Sequence, residues 1–291
     1  MTDPLTGMLA ALDLTDTGAR TDEDIFTGAS QWMPHGRVYG GQVLAQSLVA
    51  AMRTIDDAHR VHSMHGYFLR AGDIERPITF SVDRIHDGRS FSARRTQAYQ
   101  DGAPILSMIA SFQTDAEGLD HQVAMPTDLP LPDELPDAAA ALIDLDQPVG
   151  RYWATQRAFD MRHIPSPVYL SVEGAHVAHQ AVWFRAIGPL PDDDALHRAA
   201  LVFASDYTIL ESVFRRHGLA WATPGLKVAS LDHAMWWHRS GRVDDWLLYV
   251  QESPSASGGR GLAQGRIYTK EGILLASIAQ EGMIRLPRKD E

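Results

Sequence analysis

The chain has 291 residues, and 45% of them are hydrophobic, enough to fill one large domain or two domains of ordinary size. It carries 26 Lys and Arg against 37 Asp and Glu, and the net charge of −11 argues against a general nucleic-acid binder. There is no cysteine, which excludes disulfides, thiolate metal ligands and a cysteine nucleophile.

The start of the chain, MTDPLTGMLAALDL, has neither a basic segment nor a long apolar run, so we expect no secretion signal. No run of 18 apolar residues occurs in the sequence, so no membrane span is predicted. Together with the absence of cysteine, which fits a reducing compartment, these features predict a cytoplasmic protein.

The segment GGQVLAQSLVAAM, residues 40–52, is predicted to be a long helix. It contains no charged residue from Gly41 to Met52. A helix without charge on any side is typical of one that is buried nearly all round. The pattern therefore favours a helix wrapped by a curved antiparallel sheet, which is the hotdog arrangement.

Strand patterns that follow this helix recur in the second half of the chain. VHSMHGYFLR, starting at Val61, matches SLDHAMWWHR, starting at Ser230, because each has paired aromatic residues followed by an arginine. Further on, SARRTQAYQDGAPILSMIASFQ matches LAQGRIYTKEGILLASIAQEGM, and each reads as strand, acidic-Gly turn and strand. The shared order predicts a duplicated unit, with two unrelated α+β domains as the alternative.

We therefore predict an α+β protein built as a tandem (double) hotdog, each unit a long helix wrapped by a curved antiparallel sheet. The first unit is expected over residues 1–115 and the second, with the catalytic residues, over residues 151–291. Between them, residues 116–150 are rich in proline and acidic residues and predict an exposed connector, with one short helix at 137–145.

The second half contains RAALVFASDYTILESVFRRHG, which is predicted to be one helix ending at a glycine. Its apolar residues recur at the spacing of a single buried face: Leu196, Ala199, Ala200, Phe203, Tyr207, Leu210, Val213 and Phe214. Asp206 falls on the same face. Either it reaches the rim of the helix or forms a structural ion pair with an arginine such as Arg185 or Arg266, or it lines a cleft where desolvation raises its pKa and it acts on water as a general base.

Comparison of the two halves supports the second of these interpretations of Asp206. The alignment pairs a residue of the first half with a more polar residue of the second at three places: Ser47 with Asp206, Val61 with Ser230, and Ala110 with Gln280. Gln280 is also unusual within its own strand, ILLASIAQEGMIR. We expect the three polar residues to meet in the second half only.

Other catalytic signals are weak. The sequence has no G-x-S-x-G and no G-x-x-x-x-G-K-[ST], and GGRGLAQG lacks the spacing of a dinucleotide loop. His62 and His65 lie in a strand pattern that places them on opposite faces, and His176 and His179 have no accompanying H-E-x-x-H. We interpret these histidines as solvated or structurally bonded, and no metal site is predicted.

The chain resembles the acyl-CoA thioesterase II family, the double-hotdog thioesterases, over almost its whole length. The resemblance rests on these blocks: VYGGQVLAQSL, VHSMHGYFLRAGD, DGRSFSARR, ASDYTIL, SLDHAMWWHR, DDWLLYVQESPSASGGRG and ASIAQEGMIR. It implies a catalytic trio of Asp206, Ser230 at the start of the following strand, and Gln280 on the last strand. Ser230 stands where the family often has threonine, so it keeps the hydroxyl and loses the methyl group.

The resemblance also implies a mechanism, in which water attacks the thioester carbonyl directly. Asp206 would accept the proton of that water, while Ser230 and Gln280 would hold it by hydrogen bonds. The oxyanion would need backbone N–H donors at a helix start, for which Gly40 and Gly41 are candidates as substrate-binding residues, although close packing explains them equally well.

The implied substrate is an acyl-CoA and the product a free fatty acid. No metal or other cofactor is required, since coenzyme A is part of the substrate. Its phosphates would favour surface arginines such as Arg94, Arg95 or Arg260, and we expect a homo-oligomer, either a dimer or a tetramer.

Two other functions remain open. A hotdog-type enoyl-CoA hydratase or dehydratase would need a histidine partner for Asp206, and none is clear, although His233 and His238 lie on the strand that follows Ser230. A non-catalytic acyl-CoA-binding protein would have no need of a carboxylate that activates water.

Overall fold

The computed structural model describes residues 3–19, 21–137, 139, 142 and 148–287. Its helices are α1 (Pro4–Leu12), α2 (Gly40–Met52), α3 (Pro148–Thr155), α4 (Asp194–Ser205) and α5 (Glu211–His217). The strands of the first half are β1 (Thr15–Asp16), β2 (Asp24–Gly28), β3 (His59–Phe68), β4 (Ile78–Asp87), β5 (Phe91–Gln100) and β6 (Ala103–Thr114). Those of the second half are β7 (Phe159–Ile164), β8 (His179–Ala186), β9 (Lys227–Ser230), β10 (Asp232–Trp237), β11 (Leu247–Ser257), β12 (Arg260–Thr269) and β13 (Leu274–Arg285).

These strands form one continuous antiparallel sheet in the order β1-β2-β4-β5-β6-β3-β10-β13-β12-β11-β8-β7, with β9 paired to β13. Each half contributes the same pattern, a strand, a helix and then four strands that pair in the same relative order. The halves join where β3 and β10 run antiparallel, with Met64 opposite Met235. The prediction of a tandem hotdog is confirmed.

α2 lies where an uncharged helix is expected, inside the curve of the first unit. Eleven of its 13 residues are buried. It packs against β4, β5 and β6 on one side and against α4 of the second unit on another. Fully buried leucines such as Leu44 and Leu48 each stabilise the fold by about 1.5–3 kcal/mol through the apolar surface they remove from water.

The two acidic-Gly pairs lie in hairpin turns, as predicted. Asp101 and Gly102 join β5 to β6 with φ values of 49° and 75°, the positive angles that a two-residue type I′ turn requires. Gly272, with φ of 88°, lies in the turn between β12 and β13. The predicted pattern missed the strand before each helix, β2 and β8. In β8 nearly every residue is buried, so it shows no polar alternation.

The segment predicted to be one helix is two helices, so that prediction is wrong. α4 ends before Asp206, residues 206–210 form turns, and α5 begins at Glu211. α5 does end at a glycine, since Gly218 caps it in the left-handed conformation with φ of 65°.

Polar contacts and a tightened last turn explain the interruption. The Ser205 hydroxyl donates to the Val202 carbonyl at 2.9 Å, and the Tyr207 N–H bonds the Ala204 carbonyl at 3.2 Å, three residues back rather than four. Asp206 therefore lies at the C-terminal boundary of α4 instead of within a helix.

The connector crosses the outer face of the second unit. Met125, Leu129 and Leu135 pack there, and the Trp183 indole donates to the Pro130 carbonyl at 2.9 Å. The helix predicted over 137–145 lies largely outside the described residues, and the unit boundaries stay a prediction. Among the described residues, no helix is long and apolar enough to cross a bilayer.

Candidate active site

A cavity of about 560 Å³ opens between the two units, beside the N-terminus of α2 and the turn that follows α4. Its wall includes Asp206, Ser230 and Gly40. Gln280 is 1% exposed and lies behind the wall rather than in it. The volume is within the range of sites that hold small organic ligands.

The structure brings Asp206, Ser230 and Gln280 together. The Gln280 amide nitrogen donates to Oδ1 of Asp206 at 2.9 Å, and the Ser230 hydroxyl donates to the same oxygen at 3.2 Å. The Gln280 nitrogen is also 2.9 Å from the Ser230 oxygen. Two hydrogen-bond donors thus converge on one oxygen of a carboxylate that faces a cavity.

Three elements supply these side chains. Asp206 comes from the end of α4, Gln280 from within β13, and Ser230 from β9, which pairs with β13 so that Ser230 is opposite Gly282. Ser230 is the last residue of β9 and β10 begins at Asp232, so the expectation that Ser230 opens the following strand is wrong.

The N-terminus of α2 faces the other side of the Asp206 carboxylate. The Gly41 N–H donates a hydrogen bond to Asp206, and the positive end of the helix dipole favours its negative charge. A Cβ added to Gly40 would lie 2.7 Å from Oδ2 of Asp206, and one added to Gly41 would lie 2.5 Å from the Phe203 carbonyl oxygen. Both glycines are thus needed for this close approach, and their contact with substrate stays a prediction.

Burial dominates the electrostatics of Asp206. It raises the pKa of the carboxyl above that of an ordinary aspartate, while charge on His233 and hydrogen bonds from Gln280, Ser230 and Gly41 act against this rise. A carboxylate with a raised pKa is a stronger base than one in water, which suits it to take a proton from a bound water molecule.

The alternative of an arginine ion pair for Asp206 is contradicted. The Arg185 guanidinium stacks on the Trp246 ring at 4.5 Å, and Arg266 pairs with Glu252 at 2.9 Å. Neither arginine lines the cavity. The side chains that donate hydrogen bonds to Asp206 are uncharged, so no ion pair neutralises the carboxylate and it can accept a proton.

The sequence analysis did not predict that His233 contacts Gln280. This side chain is fully buried behind Gln280, with Nδ1 hydrogen-bonded to the Gln280 oxygen and Nε2 3.0 Å from the Ser205 hydroxyl. A usable signal was present, because the inward-facing positions of β10 are those of His233, Met235 and Trp237, two of them apolar.

Two other histidines that the sequence analysis considered have hydrogen-bond partners outside the site. His238 bonds Ser277 at 2.9 Å on the outer face, and His62 bonds Ser111 at 2.9 Å. Within the described ranges, no group of three or more His, Cys, Asp or Glu side chains gathers in a way that could hold a metal ion.

The arginines expected to bind coenzyme phosphates are elsewhere. Each pairs with a carboxylate and none lines the cavity: Arg94 with Asp87, Arg95 with Asp83, and Arg260 with Glu281. Arg94 is 1% exposed, so the expectation of a surface arginine is wrong there, while coenzyme binding by Arg95 and Arg260 stays a prediction. Arg37 and Arg70, which are exposed, line the cavity instead.

A buried arginine and aromatic rings form another part of the wall. Arg157 donates to the Tyr169 hydroxyl at 2.7 Å and lies over the Tyr207 ring at 4.7 Å. Tyr207 in turn stacks on Tyr39 at 4.6 Å. Burial raises the pKa of Tyr169 to about 12, against the opposing charge of Arg157. These contacts fix Tyr207, which follows Asp206 in the chain, and Tyr39, which precedes Gly40.

The fold and site define a tandem hotdog protein in which a carboxylate, a hydroxyl and an amide meet beside a cavity between the two units. Comparison with protein families gives the same result in both halves. Residues 155–283 match the family described as acyl-CoA thioesterase, and residues 29–113 match the acyl-CoA thioesterase N-terminal domain. The chain belongs to the acyl-CoA thioesterase II family, as the sequence resemblance predicted.

Its relatives match over most of their length. It is 39% identical over 279 residues to acyl-coenzyme A thioesterase 8 of Homo sapiens, covering 91% of this chain and 86% of that one. It is 35% identical over 292 residues to acyl-CoA thioesterase 2 of Haemophilus influenzae, covering 98% and 99%. The crystal structure of the acyl-CoA thioesterase II TesB2 from Mycobacterium marinum is 42% identical, covers 97% of this chain and 98% of its own, and superposes with a TM-score of 0.77.

Proposed function

We propose that this protein hydrolyses acyl-CoA thioesters to a free fatty acid and coenzyme A. One observation carries the proposal: a carboxylate whose pKa is raised by burial, Asp206, faces the cavity and is held by the hydroxyl of Ser230 and the amide of Gln280. Membership of a family whose named relatives are acyl-CoA thioesterases supports the substrate class.

In the proposed reaction, Asp206 accepts a proton from a water molecule that binds at the cavity wall beside Ser230, while Gln280 holds Asp206 and Ser230 in place from behind the wall. The oxygen of that water bonds to the thioester carbonyl carbon and forms a tetrahedral intermediate. Its collapse breaks the carbon–sulfur bond, and the proton passes from Asp206 to the departing sulfur. No covalent enzyme intermediate is needed, and no metal or cofactor takes part in the proposed steps.

The oxyanion of the intermediate needs hydrogen-bond donors, and the start of α2 offers backbone N–H groups next to the cavity. Gly40 lines the cavity, whereas the N–H of Gly41 is already directed at Asp206. We therefore favour the stretch around Gly40 over Gly41 as the oxyanion site.

Arg37 and Arg70 are placed to meet the phosphates of coenzyme A. Both line the cavity and are exposed, and the Arg70 guanidinium is steadied by the Pro104 carbonyl at 2.8 Å. Guanidinium groups bind phosphate oxygens through charge-assisted hydrogen bonds. In this arrangement the coenzyme enters past these arginines, and the thioester reaches Asp206.

The cellular setting is also a proposal. We place the protein in the cytoplasm, in acyl-CoA and fatty acid metabolism, and we expect it to assemble into a homo-oligomer, either a dimer or a tetramer. The cysteine-free composition supports a reducing compartment.

A thiol-release assay tests the function. The protein is mixed with acyl-CoAs of increasing chain length and a chromogenic thiol reagent, and Asp206→Asn is compared with Asp160→Asn. Asp160 is a partly buried aspartate that pairs with Arg162 away from the cavity. We expect a loss of about 10²–10⁴-fold in Asp206→Asn and little change in the control.

The same samples decide between this function and its alternatives. Hydration of an enoyl-CoA without thiol release would identify a hydratase. Binding of acyl-CoA with neither reaction would identify a binding protein. Equal activity in the wild type and in folded Asp206→Asn would refute the role of Asp206.

A further inference from the structure

We propose that His233 is a positioning residue, which holds the Gln280 amide in the orientation that points its nitrogen at Asp206 and Ser230. The inference rests on the proposed function only for its effect on rate. Its structural part concerns two side chains that lie behind the cavity wall, Gln280 and His233, which are 1% and 0% exposed.

The charge of Asp206 determines which end of the amide faces it. An ionised carboxylate only accepts hydrogen bonds, so the Gln280 nitrogen must face it, at the observed 2.9 Å. Rotating the amide by 180° would bring its oxygen next to a carboxylate oxygen, where the two repel, and would remove the hydrogen bond from the Gln280 nitrogen to the Ser230 oxygen. The Gln280 oxygen therefore points away from the cavity, where Nδ1 of His233 meets it.

This contact fixes the proton of His233. Burial lowers the pKa of the imidazole, which favours the neutral form with a single N–H. Because the Gln280 oxygen only accepts, that hydrogen is on Nδ1. Nε2 is then an acceptor and lies 3.0 Å from the Ser205 hydroxyl, whose single hydrogen can turn to Nε2 or to the Val202 carbonyl at 2.9 Å.

The hydrogen bonds run in a closed ring. Ser205 contacts Nε2 of His233, Nδ1 of His233 donates to Gln280, and Gln280 donates to Asp206, which follows Ser205 in the chain. The ring links the end of α4 to β10 and β13. His233 does not line the cavity, so its contribution is to fix the amide that holds the Asp206 carboxylate and the Ser230 hydroxyl.

Two amide substitutions separate this role from packing. In His233→Asn, the side-chain nitrogen is as many bonds from Cα as Nδ1 of histidine, so the donor to Gln280 is retained. In His233→Gln, the amide group is as many bonds from Cα as Nε2, so its oxygen can accept from Ser205, and the donor at the Nδ1 position is lost. Both replace a buried ring by an amide, so the loss of ring packing is similar.

We expect His233→Gln to lower kcat about 10–100-fold with KM changed by less than about twofold, because a misplaced donor affects the reacting geometry more than binding. His233→Asn should keep kcat within about threefold of the wild type. His238→Asn is the matched control, since His238 follows the same strand and bonds Ser277 on the outer face. Melting temperatures are measured for all three.

Equal losses of kcat in both His233 variants, or full kcat in folded His233→Gln, would overturn the proposal. A crystal structure of each variant gives a second readout that does not need turnover. The Gln280 nitrogen should stay within hydrogen-bond distance of Asp206 in His233→Asn and leave it in His233→Gln. If the wild type released no thiol, the proposed function would fail, while these structures would still support or overturn the role of His233.

Discussion

Replacing Gly40 by alanine is a direct test of how the first unit contributes to the site. Gly40 is the first residue of α2, and a Cβ there would lie 2.7 Å from Oδ2 of Asp206 and 3.1 Å from the Phe68 ring. Ordinary contacts of a Cβ begin near 3.4 Å, so the carboxylate would have to move by about 0.7 Å. Phe68 restricts the alternative of moving the helix start.

We expect Gly40→Ala to lower kcat rather than the stability of the fold. A displacement of about 1 Å between reacting groups can reduce a rate by about 100-fold, so we expect kcat to fall about 10–100-fold in Gly40→Ala. Alanine is favoured over glycine within helices by about 0.5–1 kcal/mol, which offsets part of the strain and keeps the melting temperature near that of the wild type.

The assay is steady-state thiol release with one acyl-CoA, giving kcat and KM separately. Gly7→Ala is the matched control, because a Cβ at Gly7 in α1 would meet only the flexible end of Gln31, at 3.3 Å. A folded Gly40→Ala protein with the kcat of the wild type would refute the reasoning, since it would mean that the observed position of Asp206 is not required.

Three further predictions follow from the charges of the site. The acid limb of kcat/KM against pH should lie above the range of an ordinary aspartate, because burial raises the pKa of Asp206 and activity is lost as pH falls through it; a limb in the ordinary range would contradict this. Because its pKa is raised in the folded state, ionised Asp206 destabilises that state at neutral pH, so Asp206→Asn should raise the melting temperature there. The increase in melting temperature should be smaller in acid, where Asp206 of the wild type is protonated. Thermal unfolding of both proteins at the two pH values measures this difference. Replacing Arg37 and Arg70 by methionine should raise KM several-fold at low salt and leave kcat nearly unchanged, whereas Arg260→Met should alter neither.

The parts of the fold predicted correctly depend on local signals. The uncharged run of α2 indicates burial whatever surrounds it, and the positive φ angles at Asp101 and Gly102 follow from the turn type. The proximity of Asp206, Ser230 and Gln280 was expected from two similar halves and a family resemblance, and the structure brings all three together.

The parts missed depend on contacts between distant segments. The apolar spacing continues through Tyr207 and Leu210, so nothing in the pattern marks the end of α4 at Ser205, which its packing and hydrogen bonds determine. His233 reaches Asp206 only through Gln280, 47 residues further along the chain, and no spacing rule relates such positions.

The carboxylate of Asp206 comes from the second unit, but the helix start that lets it sit at the cavity comes from the first. A fragment containing only the second unit would therefore keep Asp206, Ser230 and Gln280 and still lack the part of the pocket that the first unit supplies. The first unit, which has a serine at position 47 where the aligned second unit has Asp206, is therefore needed to complete the pocket, and separately produced fragments should regain activity only when they reassemble.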